Sequence, residues 1–204
     1  MVLDRGFLAR PALEVAPDLL GALLHHDSPD GEVVLRLTEV EAYHGEADPG
    51  SHAFRGRTAR NAVMFGPAGQ LYAYFTYGMH TCANIVCGAE GAATAVLLRA
   101  AEVVAGVELA RRRRGAQVAD RDLARGPARL TVAAGIRLAD TGADLLAPPF
   151  LLESATARPP VASGPRVGVA GDGGSEAYPW RFWIPGEPTV SAYRAHAPRR
   201  KTGL

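Results

Sequence analysis

Four stretches between Glu32 and Arg99, residues 32–43, 71–77, 81–87 and 93–99, read as β-strands, and this clustering most constrains the fold. The alternation is cleanest where Glu39, Glu41 and Tyr43 interleave with Val40 and Ala42, and where Tyr72 and Tyr74 interleave with Leu71, Ala73 and Phe75. A period of two puts each set on its own face of a pleated strand. The last three stretches are separated by YGM and GAEGA, the second a good hairpin signal, so an antiparallel meander is expected.

The rest of the chain supplies mostly helices and loops. Residues 13–24 have helical apolar spacing, with Pro17 and Asp18 in a first turn; residues 102–114 read as a helix, and Gly126-Pro127 opens another. Residues 166–169 and 181–184 return to strand, whereas 45–60, 155–165 and 171–174 read as loops. With no βαβ alternation and no GxGxxG, the expected fold class is α+β, one domain over residues 1–204 ending in a flexible basic tail at 196–204.

Composition narrows the chemistry. No run of about eighteen apolar residues is present to span a bilayer, and the opening MVLDRGFLARPALEVAPD is broken by acids and prolines, so a soluble, cytoplasmic protein is expected. Cys82 and Cys87 lack the Cys or His partners of a zinc site and read as buried free thiols; no metal or cofactor is expected. The net charge of +1 hides segregation: residues 1–50 hold three arginines against ten acids, residues 99–129 eight arginines against four acids. A basic face able to follow a phosphate backbone is compatible with that pattern; so is a helix whose C-terminal turn carries Arg111 to Arg114.

The densest chemistry runs from Thr38 to Asn84. The blocks TEVEAYHG, SHAFRGRTARNAVMFGPAGQLYAY and YGMHTCANI resemble, in order and spacing, the alkyladenine (3-methyladenine) DNA glycosylase family. The resemblance covers roughly residues 10–193, with further matches at LARGPARL, RVGV and WRFWIPG. It implies a single mixed domain built on a curved antiparallel sheet with surrounding helices. It also implies a monomeric enzyme, nucleoid-associated when at work, that acts on damaged purines in double-stranded DNA.

Carried onto this chain residue by residue, the resemblance makes Glu41 the general base. Arg99 and the main-chain carbonyl of Val167 would help it hold the attacking water, with Arg166 and Gly168 shaping the same wall. Tyr43, His52 and Tyr74 would stack around an extruded base, and Asn84 would exclude guanine by its exocyclic amine. Tyr77 would be inserted into the duplex, with Met79 and His80 probing the minor groove, although His80 stands where the family commonly has a bulkier aromatic. Glu39 has no catalytic role in this reading, and Glu41 is the natural carboxylate partner for Arg99.

Lys201 is the only lysine, which argues for hydrolysis by water over Schiff-base strand cleavage. Two other readings remain open on the residues themselves. One is a nucleic-acid-binding module that kept the fold and lost the chemistry. The other uses Glu39 and Glu41 as an acid and nucleophile on a carbohydrate, with Cα atoms about 6.5–7 Å apart by strand rise.

Overall fold

The computed structural model describes residues 1–76 and 78–196, so Tyr77 and the basic tail from residue 197 onward lie outside the described residues. The chain enters through a one-turn helix α1 (Arg5–Leu8), capped by the Asp4 carboxylate, which accepts from the Phe7 N–H at 2.7 Å. Helix α2 (Ala12–Asp18) follows, then a hairpin of β1 (Leu23–Ser28) and β2 (Gly31–His44). The meander is β3 (Leu71–Thr76), β4 (His80–Cys87) and β5 (Thr94–Ala105). Helices α3 (Val107–Arg114) and α4 (Pro127–Ala134) precede three short strands, β6 (Phe150–Glu153), β7 (Ala162–Gly164) and β8 (Arg181–Trp183).

All eight strands join one antiparallel sheet in the order β3-β4-β5-β2-β1-β6, with β8 on β2 and β7 on β8. Strand β2 is the axis. One edge pairs with β5 along its length; the other is shared between β1, facing 31–36, and β8, facing 39–41. The expected α+β class and meander are therefore present.

A break in register decides what each face carries. In the β2–β5 ladder, Leu37 pairs with Ala101, Glu39 with Ala100 and Val40 with Leu98, so the pairing skips Thr38 on one strand and Arg99 on the other. Because a one-residue slip turns following side chains to the opposite face, the core face passes from Leu35 and Leu37 to Val40 and Ala42 along β2. It passes likewise from Val103 and Ala101 to Leu98 and Val96 along β5. This face packs against Val15, Leu109 and Leu130 of the helices. The other face receives Glu39, Glu41 and Tyr43, and under the 45–70 excursion Ala53 and Met64 pack with Tyr72, Val86 and Ala95 in a smaller core.

Three expectations are corrected. The helix expected over 13–24 ends at Asp18, and Leu23 already belongs to β1; Gly21, at φ +82°, turns the chain there. Val15, Ala16, Leu19, Leu20 and Leu24 are all buried and keep a spacing of three and four across the turn, which hid the strand. The helix expected from Glu102 starts at Val107, because β5 runs on to Ala105 and Gly106, at φ +71°, makes the corner. Residues 166–169 form a turn at Gly168, φ +71°, instead of a strand. The Arg111–Arg114 run closes α3, as the helix-end alternative has it. Arg111 pairs with Asp120, Arg113 reaches Ser28, and Arg114 donates to the Leu123 carbonyl.

Candidate active site

A row of side chains crosses the sheet on its non-helical face. Glu41 of β2 pairs in register with Leu97 of β5, Leu97 with Asn84 of β4, and Asn84 with Tyr72 of β3. This row floors a cavity of about 870 Å³, which the 49–52 loop, residues 167–170 and residues 194–196 wall in. Of the residues singled out from sequence, Glu41, Tyr43, His52, Tyr74, Asn84, Arg99 and Val167 all line it. Four strands and two loops thus converge, and the period-two pattern is why alternate residues of each strand arrive together.

Glu41 is fully buried, yet its carboxylate borders the cavity. Oε2 accepts from the Tyr43 hydroxyl at 2.9 Å, and Oε1 accepts from the Val167 N–H at 2.7 Å, with Arg99 Nη1 at 3.3 Å. Burial, then the adjacent Glu41 charge, pushes the Tyr43 phenol well above its usual range, so it remains a donor. Burial disfavours the Arg99 cation, but Glu41 and Glu39 outweigh it and Arg99 stays charged. Arg99 makes its shorter contact with Glu39, Nε to Oε1 at 2.8 Å, so Glu41 is its second carboxylate and not its sole partner.

The aromatic walls interlock. His52 and Tyr74 meet edge to face with centroids 4.6 Å apart, and Tyr72 and Tyr74 stack at 5.5 Å. The Tyr72 hydroxyl lies 3.2 Å from His52 Nδ1, which fixes the imidazole's orientation. Loss of hydration and the nearby Arg60 cation hold the His52 pKa below its usual value, so the ring facing the cavity is neutral at neutral pH. Asn84 donates from Nδ2 to the Tyr72 carbonyl at 3.1 Å, so a strand neighbour satisfies one end of its amide while it lines the cavity.

Behind Tyr43 lies a buried ion pair. Arg166 covers the ring at 4.5 Å and forms a two-pronged pair with Asp48, both contacts 2.6 Å. It also donates to the carbonyls of Ala42 and Gly173. Gly50 passes so close that a Cβ there would sit 2.4 Å from Arg166 Nη2. Asp48, Arg181 and Ser191 were missed by sequence reasoning, because two loop residues and the first residue of a three-residue strand, each more than a hundred positions from its carboxylate or guanidinium partner, leave no periodic signal. Tyr72, Cys82 and Leu97 carried one: each lies two residues from a named site residue on the same strand.

Beside the cavity, the β3–β4 turn projects outward. Met79 is 68% exposed and Phe75 48%, and the exposed His80 opens β4. Tyr77, expected at this tip, lies outside the described residues. Arg55, Arg57 and Arg60 are exposed on the adjoining loop, and Arg60 donates to the Phe75 carbonyl, tying that loop to the hairpin. Basic side chains next to the cavity therefore come from this loop and from Arg194 on the cavity wall, while α3 packs by Leu109 on the helix-covered face.

The sequence profile described as methylpurine-DNA glycosylase (MPG) matches residues 6–188. The chain is 65% identical over 195 residues to a protein of Leifsonia xyli subsp. xyli, covering 93% of this chain and 91% of that one. It is 60% identical over 204 residues to one of Streptomyces avermitilis, covering 98% and 95%, and 49% identical over 194 residues to one of Burkholderia lata, covering 93% and 91%. All three carry the name "Putative 3-methyladenine DNA glycosylase". With almost its whole length matched in this way, the chain belongs to the methylpurine-DNA glycosylase family.

Proposed function

We propose that this protein excises damaged purines from double-stranded DNA by turning the nucleotide out of the helix and hydrolysing its N-glycosidic bond with a Glu41-activated water. The observation that carries the reading is the Glu41 carboxylate, held by Tyr43, Val167 and Arg99 against a cavity walled by Tyr43, His52, Tyr72 and Tyr74. A purine inside a duplex exposes its glycosidic bond to no side chain, so such chemistry needs extrusion and a slot for the base. Electron-rich rings suit an alkylated, electron-poor purine, and Asn84 on the floor supplies the polar contact that rejects the guanine amine. The hairpin tip with Met79 and His80 enters the groove, and the family resemblance gives Tyr77 the part of filling the vacated stack.

The bond between C1′ and the base nitrogen breaks with its electron pair leaving on the purine. Water adds to C1′ as Glu41 takes its proton, and Arg99 and the Val167 main chain keep the water in line. An alkylated cationic purine departs neutral, whereas a deaminated one such as hypoxanthine departs as an anion that takes its proton from solvent. The enzyme is monofunctional in this reading, supported by Lys201 being the one lysine of the sequence. It acts as a monomer without a cofactor. No helix among the described residues is long and apolar enough to cross a membrane.

A sugar hydrolase pairing Glu39 with Glu41 is disfavoured, because Glu39 is wholly buried and does not line the cavity. The test is base release from short duplexes carrying 3-methyladenine, ethenoadenine or hypoxanthine, with the abasic product revealed by alkali. The reading requires free base from at least one lesion and an uncut strand before alkali. Salt-sensitive binding with no release on any of them would leave only a binding module.

A further inference from the structure

Glu39 is one of the most fully engaged acceptors in the molecule. Its Oε1 accepts from Arg99 Nε at 2.8 Å, Arg181 Nε at 2.7 Å and Ser191 Oγ at 3.0 Å, and its Oε2 from the Ser191 N–H at 2.7 Å. Arg99 is then held at a second point, donating from Nη2 to Ser191 Oγ at 3.2 Å. What is left for Glu41 is Arg99 Nη1 at 3.3 Å, the loosest of these contacts. Two guanidiniums, Arg99 and Arg181, thus face two carboxylates, Glu39 and Glu41, in a dry interior where a guanidinium otherwise closes on a carboxylate two-pronged.

We infer that Glu39, with Ser191, is a positioning residue that holds Arg99 beside Glu41 but off it, keeping the Glu41 carboxylate open to water. The inference rests on the glycosylase reading and extends it to a residue that never meets the substrate. The fold builds the device deliberately: the β2–β5 pairing is irregular on both sides of Glu39, and β8 joins β2 at Glu39 to bring Arg181 alongside. Removing the Glu39 charge leaves two cations for one carboxylate, and Arg99 moves onto Glu41. The base is then covered and water is kept from it.

Glu39→Gln tests this in single-turnover base release at saturating enzyme, beside the intact protein and Glu41→Gln, with duplex affinity measured in parallel. The expected result for Glu39→Gln is duplex affinity within about twofold and a rate lowered about tenfold or more, a split between binding and chemistry. An unchanged rate in folded Glu39→Gln overturns the inference, while loss of release in Glu41→Gln keeps the glycosylase reading. Full release by Glu41→Gln, or none by the intact protein, sinks that reading itself. Should Glu39→Gln not fold, Ser191→Ala decides: it keeps the charge but frees Arg99 Nη2, so a roughly threefold or greater fall in rate with affinity unmoved supports the inference. An unchanged Ser191→Ala rate overturns it.

Discussion

At the scale of single residues, the site rests on charges buried in pairs. Asp48 and Arg166 are both fully buried, so removing one partner leaves an uncompensated charge in the interior. Asp48→Ala is expected to cost about 3–5 kcal/mol, read as a fall in the denaturant midpoint, and to weaken base release by loosening the support behind Tyr43. Glu39 sets a pH dependence. Burial pushes its carboxyl up, but the Arg99 and Arg181 cations and the Ser191 hydroxyl prevail and hold it below the ordinary value of 4.5. A carboxyl lowered on folding binds fewer protons in the native state than in the unfolded one, so its stabilisation is complete above pH 4.5 and is lost as the pH falls through the folded value. Between pH 6 and pH 3 the intact protein should therefore lose more stability than Glu39→Gln in urea unfolding; equal slopes would contradict the assignment. These partners are where sequence reading stops. Glu41, Tyr43 and Tyr74 stand out through alternation and motif, but nothing near Glu39 announces Arg181 or Ser191, which arrive from the other end of the chain.

At the scale of elements, the register break in β2 is the least expected feature and the most consequential. Simple alternation along residues 32–43 would put Glu39, Glu41 and Tyr43 on the same face as Leu35 and Leu37, which is the helix-covered core. By skipping Thr38, the ladder turns the carboxylates to the cavity while Val40 and Ala42 keep the core filled. Deleting Thr38 should therefore force one half of β2 onto the wrong face and abolish cooperative unfolding, as followed by circular dichroism. The meander and its cavity-facing residues were legible because local alternation fixes them. Strands β1 and β6 were not: β1 follows a helix without a break in apolar pattern, and β6 is four residues long. Gly106 marks another corner, with φ +71° and a Cβ position 2.2 Å from the Glu32 carbonyl. Gly106→Ala is expected to destabilise by more than about 1 kcal/mol in thermal unfolding, because φ and space both oppose a side chain.

At the scale of the whole molecule, a near-neutral chain presents a locally basic rim. Arg55, Arg57 and Arg60 lie on one loop beside the cavity and the exposed hairpin tip, a placement that suits a phosphate backbone running past an extruded nucleotide. Duplex affinity should fall steeply with salt, and Arg57→Ala should lessen the slope of log affinity against log salt by about one if that side chain neutralises one phosphate. The account as a whole turns on Glu41. Single-turnover release of a damaged purine should fall by about 10²–10⁴ in Glu41→Gln, with duplex binding retained. Release by Glu41→Gln at the intact rate would contradict the assignment of this carboxylate as the base that activates water.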